Sequence, residues 1–152
     1  MINFLYQKLL RIFYLLINFC NFFIRPIKVG VCVAIINTRG KILLVKHSYK
    51  NGWFVPGGFI KKLETFEDTG IREIKEELGI DIKKESLKFL KTGQTFQNYK
   101  TQVTVSFVVQ DISDEIVVKI DKKEIIEAKW FSLKDLPNDL YTESAEIIAL
   151  LS

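Results

Sequence analysis

The sequence predicts an α+β domain that follows a separate amphipathic helix. Its 152 residues suit one domain with a proper core. After Pro26, short runs rich in β-branched residues are interspersed with two segments of helical periodicity, which indicates strands and helices in one unit. Before Pro26 the chain is mostly apolar at helical spacing. We therefore divide the chain into an N-terminal helix, residues 1–26, and a domain, residues 27–152.

The net charge of +4 lies almost wholly in the N-terminal segment. Residues 1–28 contain four basic residues and no Asp or Glu, whereas basic and acidic residues balance in the rest of the chain. The domain itself is thus not basic, so the charge does not indicate binding to nucleic acid. The four basic residues are Lys8, Arg11, Arg25 and Lys28.

The cysteines and the one histidine predict no metal centre. Cys20 and Cys32 stand in apolar surroundings without metal-type spacing, so we expect buried, reduced thiols, as in a cytoplasmic protein. His47 closes the apolar run KILLVKH and is expected at a strand end. One histidine alone cannot form a zinc site.

Residues 1–25 predict one long helix that ends before Pro26. The first interpretation is an amphipathic helix on a membrane surface, with its basic residues toward anionic headgroups. The second is a membrane span, although the uncharged run, residues 12–24, is short for one. The third is packing on the domain or on a partner subunit, for example in a homodimer. The polar side chains fall on one narrow stripe: Asn3, Gln7, Arg11, Asn18, Asn21 and Arg25.

The domain reads as a series of strands with a final helix. Residues 29–37 form a nearly continuous β-rich run, typical of a strand buried on both faces, and residues 41–48 return as its hairpin partner. Further strands are predicted at 87–96, 101–110, 116–120 and 125–131, a short helix at 132–137 and an amphipathic helix at 142–151.

The most informative stretch is WFVPGGFIKKLETFEDTGIREIKEELGI, from Trp53 to Ile80. It predicts a helix over 65–78, because Thr65 is a good N-cap and Gly79 stands where a helix C-terminus favours glycine. Three of its acids, Glu73, Glu76 and Glu77, are three or four positions apart or adjacent and so share a face. Such a run most often marks a solvated surface.

The turn before this helix favours a metal site over a solvated face. Pro56, Gly57 and Gly58 form a turn that lets the backbone approach a ligand closely. Clustered carboxylates repel one another unless a cation lies among them, and hard oxygen ligands suit Mg²⁺ or Mn²⁺.

The spacing G-x5-E-x7-R-E-x2-E-E-x-G resembles the Nudix box. An accidental match at seven fixed positions is very improbable at average composition. The junction R-P-x-x-x-G-V at residues 25–31 is similar to that of small bacterial Nudix hydrolases with an N-terminal helical extension. The resemblance implies the Nudix α/β/α sandwich: a mixed β-sheet with the box helix on one side and the C-terminal helix on the other. The matching residues are Gly58, Glu64, Arg72, Glu73, Glu76, Glu77 and Gly79.

The resemblance also implies roles for individual residues. Arg72 would pair with a box glutamate and orient it, and Gly57, Gly58 and Trp53 would contact substrate. Leu63 and Thr69 depart from the usual Gly and Ala of the family, but neither removes a ligand. The implied metal ligands are Glu73, Glu76, Glu77 and the carbonyl of Gly57, with Glu64 binding directly or through water.

The activity implied is metal-dependent hydrolysis of a nucleoside diphosphate linked to another group. Water would attack phosphorus in line, with Glu73, Glu77 or Glu124 as the base. A nucleoside triphosphate, a nucleotide sugar or a dinucleoside polyphosphate would be the substrate. The alternative is a non-catalytic Nudix module that binds a nucleotide for regulation. The expected partners are thus a small nucleotide and, through residues 1–25, the cytoplasmic face of a membrane.

Overall fold

The computed structural model describes residues 2–97 and 99–151, so residues 1 and 152, the ends of the two predicted segments, lie outside it. The chain forms a mixed sheet with a helix on each face and one long helix before it. In chain order the elements are α1 (Ile2–Ile24), β1 (Ile27–Asn37), β2 (Lys41–His47), β3 (Gly57–Phe59), α2 (Phe66–Leu78), a 3₁₀ turn (Lys84–Ser86), β4 (Lys88–Gln97), β5 (Lys100–Ile112), β6 (Ile125–Ser132) and α3 (Thr142–Ala149).

Strand β1 organises the sheet. The strand order is β4-β5-β1-β2-β6, and the short β3 also pairs with β1. β1 and β5 run parallel from Ile27↔Thr101 onward, whereas β2, β3 and β4 each pair with a neighbour in antiparallel fashion. The predicted hairpin of β1 and β2 is present, but β2 pairs along its length with β6. The mixed sheet that the family resemblance implied is confirmed.

Each face of the sheet has its own apolar core. Alternate residues of β1 point to opposite faces, because side chains alternate along a strand. Val33 and Ile35 pack with Ile74 and Leu78 of α2, and Ala34 packs with Ile147 of α3 on the other face. The α/β/α layering is therefore confirmed.

Helix α2 begins and ends as its sequence predicts. The Thr65 hydroxyl accepts a hydrogen bond from the Asp68 backbone N–H at 3.1 Å, and Gly79 takes a left-handed conformation with φ of 68°. The apolar residues Phe66, Gly70, Ile74 and Leu78 recur every four positions along this helix, as a stripe to be buried would. Gly70, Ile74 and Leu78 are buried, whereas Phe66 is exposed in the first turn.

Two predicted elements and one burial prediction are wrong. Residues 116–120 form no strand, because the backbone there bonds to the end of α2: the Lys119 N–H donates to the Leu78 carbonyl at 2.8 Å. Residues 132–137 form a turn, closed by the Asp135 N–H on the Ser132 carbonyl at 3.0 Å, and no helix. Both cysteines were expected to be buried, but Cys20 of α1 is exposed and Cys32 of β1 is only half-buried.

Helix α1 lies against the domain with its polar stripe inward. Gln7 donates to the Lys122 carbonyl at 3.1 Å, and Arg11 donates to the Ser48 carbonyl at 2.8 Å. Farther along, the rings of Phe22 and Tyr99 pack edge to face with centroids 4.9 Å apart. The helix thus runs from the loop before β6 to the turn between β4 and β5. The side chain of Asn3, which the sequence places on the same stripe, lies outside the described side chains.

Within the part of the chain that the structure describes, one stretch, Leu5–Ile24, is long and apolar enough to cross a membrane by length and composition.

Candidate active site

The loop before α2 is shaped by two glycines at which a side chain would meet neighbouring atoms. Gly57 has φ of 152°, and a Cβ there would lie 2.1 Å from the Val31 carbonyl oxygen. A Cβ at Gly58 would lie 2.4 Å from the carboxyl carbon of Glu73. Backbone pairing of this loop with β1 therefore brings it directly onto a carboxylate of α2.

Arg72 connects the acids of the helix to the loop. Its guanidinium donates to both oxygens of Glu64, at 2.6 and 3.0 Å, and to the Phe59 carbonyl at 3.1 Å. It also donates to Glu73 at 2.6 Å and to Glu76 at 3.1 Å. Hydrogen bonding to Arg72 lowers the pKa of Glu64 to about 2. The planar five-donor guanidinium can orient several carboxylates at once.

Glu77 is the deepest acid of the group. It is 6% exposed, and one of its carboxylate oxygens accepts a hydrogen bond from the Gly57 N–H at 3.2 Å. Burial, with the negative charge of Glu73 nearby, raises the pKa of Glu77 to about 8. Burial also raises the pKa of Glu73, although Arg72 opposes this effect. A cation bound here would offset the cost of holding two partly desolvated carboxylates together.

These acids open into a cavity of about 750 Å³, a size typical of small-molecule sites. Gly57, Gly58, Glu73, Glu77 and Glu124 all line it. The sheet, the loop before α2, the loop before β6 and helix α1 all contribute to its wall.

The cavity also holds cations. Lys50 and Lys100 line it, with the Lys100 ammonium 5.1 Å from the centre of the Phe59 ring. Burial, together with the nearby charges of Lys50 and Lys28, lowers the pKa of Lys100 to about 8. Burial likewise lowers the pKa of Lys50. Like charges gathered in a partly desolvated cavity are stabilised by an anion, so this part of the wall suits a phosphate.

The predicted site residues do not all reach this cavity. Trp53, predicted to contact substrate, is only 5% exposed and packs edge to face on Phe131 in the core beneath α3. Glu76 lies at the outer edge, where Lys61 and Arg72 hold it, and Glu64 is held by Arg72 behind the loop. Neither glutamate lines the cavity.

The donor set fits a hard divalent cation in chemistry. Carboxylate oxygens of Glu73 and Glu77 and the backbone of Gly57 share one wall, and all are oxygen ligands of the kind that Mg²⁺ and Mn²⁺ prefer. Among the described residues, no three His, Cys, Asp or Glu side chains form a ready-made metal cluster. Arg72 pairs with Glu73 and Glu76, so its guanidinium occupies carboxylate oxygens that a cation would use.

Several cavity residues could not be identified from the sequence. Lys50 comes shortly before the loop, but Lys100 lies far along the chain on β5, and no motif connects the two. Arg11 and Tyr14 of α1 also line the cavity, with the Tyr14 ring 5.6 Å from that of Tyr49. The place of Arg11 on the polar stripe was visible in the sequence, but the surface that the stripe contacts was not.

Comparison with known proteins agrees with this architecture. The sequence model of the NUDIX domain matches residues 26–151. The chain is 34% identical over 113 residues to the NAD-capped RNA hydrolase NudC of Salmonella heidelberg, covering 72% of this chain and 42% of that protein. It is 29% identical over 133 residues to Nudix hydrolase 5 of Arabidopsis thaliana, covering 82% and 43%. The chain thus spans less than half the length of the curated relatives it matches.

A solved structure shows the same fold. The MutT NUDIX hydrolase from Burkholderia pseudomallei superposes with a TM-score of 0.74 at 26% identity, covering 83% of this chain and 98% of that one. The match to the NUDIX domain model, residues 26–151, contains the whole sheet, the glycine loop and the acidic helix. Together, the family match and the shared architecture establish that this chain belongs to the NUDIX family of hydrolases.

Proposed function

We propose that this chain hydrolyses the diphosphate linkage of a nucleoside diphosphate joined to another group. The observation that carries the proposal is the composition of one cavity: the carboxylates of Glu73, Glu77 and Glu124 share it with the ammonium groups of Lys50 and Lys100. Carboxylates suit a divalent cation and a water molecule, and ammonium groups suit phosphate oxygens. A diphosphate bound between the carboxylates and the ammonium groups would contact both of these parts of the cavity wall.

The proposed cofactor is Mg²⁺ or Mn²⁺, held by Glu73, Glu76 and Glu77 with the Gly57 carbonyl, and with Glu64 directly or through water. Divalent metals are general in the family, and here the ion would neutralise charge on the diphosphate and lower the pKa of bound water. Glu76 would have to turn from Arg72 toward the cavity to take part, because it now lies at the outer edge.

The residues of the chain have distinct proposed roles. Arg72 positions Glu73, and Gly57 and Gly58 present backbone to the diphosphate. Lys50 and Lys100 bind phosphate oxygens. The base is Glu73, Glu77 or Glu124. Of these, Glu124 lines the cavity from the loop before β6, away from the acids that Arg72 holds.

The relatives support hydrolysis of a diphosphate linkage, but they do not identify the substrate of this chain. The Salmonella relative is named as a hydrolase of NAD-capped RNA. NAD consists of two nucleosides joined by a diphosphate, which fits the proposed linkage. That relative is more than twice the length of the shared region, so its substrate is not transferred. Nucleoside triphosphates, nucleotide sugars and dinucleoside polyphosphates are the proposed classes.

We place this activity in the cytoplasm, with α1 in peripheral contact with the inner membrane face. A supply of nucleotides and the two free thiols, Cys20 and Cys32, suit that compartment.

The test is a panel of nucleotide substrates with Mg²⁺, compared across three variants. Glu77→Gln is expected to abolish turnover and weaken Mg²⁺ binding by calorimetry. Glu124→Gln, if it removes the base, lowers kcat by about 10²–10⁴-fold with Mg²⁺ binding unchanged. Glu127→Gln changes an exposed acid on the adjoining strand β6; it is the matched control and keeps full activity. No turnover of any compound, with Mg²⁺ still bound, would favour the nucleotide-binding module instead.

A further inference from the structure

Helix α1 presents an unusually apolar surface to solvent. Its polar stripe contacts the domain, so its large apolar side chains face outward. A helix face on which many large apolar side chains are exposed together is typical of an interaction site. The outward residues are Leu5, Leu9, Ile12, Phe13, Leu16, Phe19, Phe23 and Ile24, and we call this surface the outer face of α1.

The charges near the outer face indicate which occupant it meets. No Asp or Glu precedes Glu64 in the chain, and residues 1–28 contain four basic residues. Of these, Lys8 and Arg25 have exposed side chains, whereas Arg11 turns to the domain. A helix that combines an exposed apolar face with exposed flanking cations and no acid is complementary to anionic lipid. A membrane span is disfavoured, because Arg11 lies within the apolar stretch and bonds to the Ser48 carbonyl of the domain.

The outer face is continuous with the mouth of the catalytic cavity. Arg11, Tyr14 and Leu15 of α1 line that cavity, and Leu15 is also 67% exposed. At the other end of the helix, Phe22 packs on Tyr99, whose side chain is itself exposed. A helix lying on a bilayer would therefore hold the cavity mouth at the level of the lipid headgroups.

We propose that the outer face of α1 docks on an anionic lipid surface and that the substrate is a nucleoside diphosphate esterified to a lipid. This inference rests on the proposed hydrolase function and names its substrate class. The diphosphate enters the cavity past Arg11, and the acyl chains stay in the bilayer beside Leu15. Water attacks one phosphorus and the bridging P–O bond breaks. The products are a nucleoside monophosphate and a lipid monophosphate, with one proton released.

The test compares one headgroup with and without its acyl chains. CDP-dioleoylglycerol and ADP-dioleoylglycerol are embedded in phosphatidylcholine–phosphatidylglycerol vesicles, and CDP-glycerol and ADP-glycerol are offered in solution. We expect the full chain to co-sediment with the vesicles and to show kcat/KM at least about tenfold higher on an embedded substrate.

Point variants avoid the risk that deleting α1 unfolds the protein. Leu9→Gln with Phe13→Gln removes two outward side chains that do not line the catalytic cavity. Vesicle binding and hydrolysis of the embedded substrate should each fall at least about tenfold, with turnover of the soluble substrate unchanged. Val117→Gln, an exposed apolar residue elsewhere on the domain, is the matched control and should change neither.

Three results would overturn the inference. If soluble nucleotides are hydrolysed but neither embedded lipid is, the substrate class is wrong although the proposed hydrolase function stands. If the full chain does not bind vesicles and light scattering shows a dimer that the double variant abolishes, the outer face meets a second copy. If no compound of either kind is hydrolysed, the inference and the proposed function fail together.

Discussion

Replacing Arg72 by methionine tests the idea that one guanidinium holds the acidic loop and helix together. The Arg72 side chain is 18% exposed, and those of its partners Glu64 and Glu73 are 20% and 14% exposed. Removing one partner of a buried ion pair costs about 3–5 kcal/mol, because a buried charge is left uncompensated. Since these side chains keep some contact with water, we expect a loss of about 2–3 kcal/mol in the free energy of unfolding.

The assay is urea unfolding followed by fluorescence, in chelator so that no metal compensates the acids. Lys84→Met is the matched control: Lys84 pairs with Asp68 of the same helix at 2.8 Å, but both side chains are about half exposed. Solvent screens that surface pair, so its loss should lower the free energy of unfolding much less than the loss of Arg72. Arg72→Lys keeps the positive charge but lacks the planar five-donor guanidinium. Its loss in the free energy of unfolding should lie between those of Arg72→Met and Lys84→Met. Equal losses for Arg72→Met and Lys84→Met would refute the central role of Arg72.

Three further predictions follow from the same geometry. Gly58→Ala pushes a Cβ against the Glu73 carboxylate and should lower kcat/KM at least about 100-fold. Gly93→Ala is the control, because a Cβ there meets no atom closer than 3.6 Å, and it should leave steady-state kinetics unchanged. Lys100→Met removes an ammonium from the cavity and should raise KM about tenfold or more, with a thermal unfolding temperature near that of wild type. An unchanged KM would show that Lys100 does not bind the phosphate. Burial, with the charge of Lys50 nearby, lowers the pKa of His47 to about 3. Between pH 7 and pH 5 the His47 imidazole therefore takes up a proton in the unfolded state but stays neutral in the folded state. As the pH falls over that range, this proton uptake should lower the free energy of unfolding by about 2 kcal/mol. Urea unfolding of His47→Gln at the two pH values should show a pH-dependent loss that is smaller by that amount.

The acidic helix was predictable because its signals are local. Thr65 caps it, Gly79 ends it, and the spacing of its acids follows from the helical repeat. The buried strand β1 was predictable for the same reason, since its β-branched run shows that both faces are covered. Each of these elements is determined by residues next to one another in the chain.

The failures arise where tertiary contacts override local preference. Residues 116–120 alternate like a strand, but their backbone bonds to the last turn of α2, so no sheet partner is needed. Trp53 stands beside the glycine loop in sequence, yet its side chain points to the core beneath α3. Lys100 and Arg11 reach the cavity from distant elements, and no spacing rule connects them to the box.

Turnover in ¹⁸O-labelled water with Mg²⁺ tests the proposed chemistry most directly, because it reports which bond water attacks. The full chain is given the panel of nucleotides, and product masses are compared with those from Glu77→Gln. We predict one ¹⁸O atom per turnover in a phosphate-bearing product and no turnover in the variant. Product formation at the same rate in Glu77→Gln, or label found only in the non-phosphorylated product, would contradict metal-assisted attack of water on phosphorus at this site.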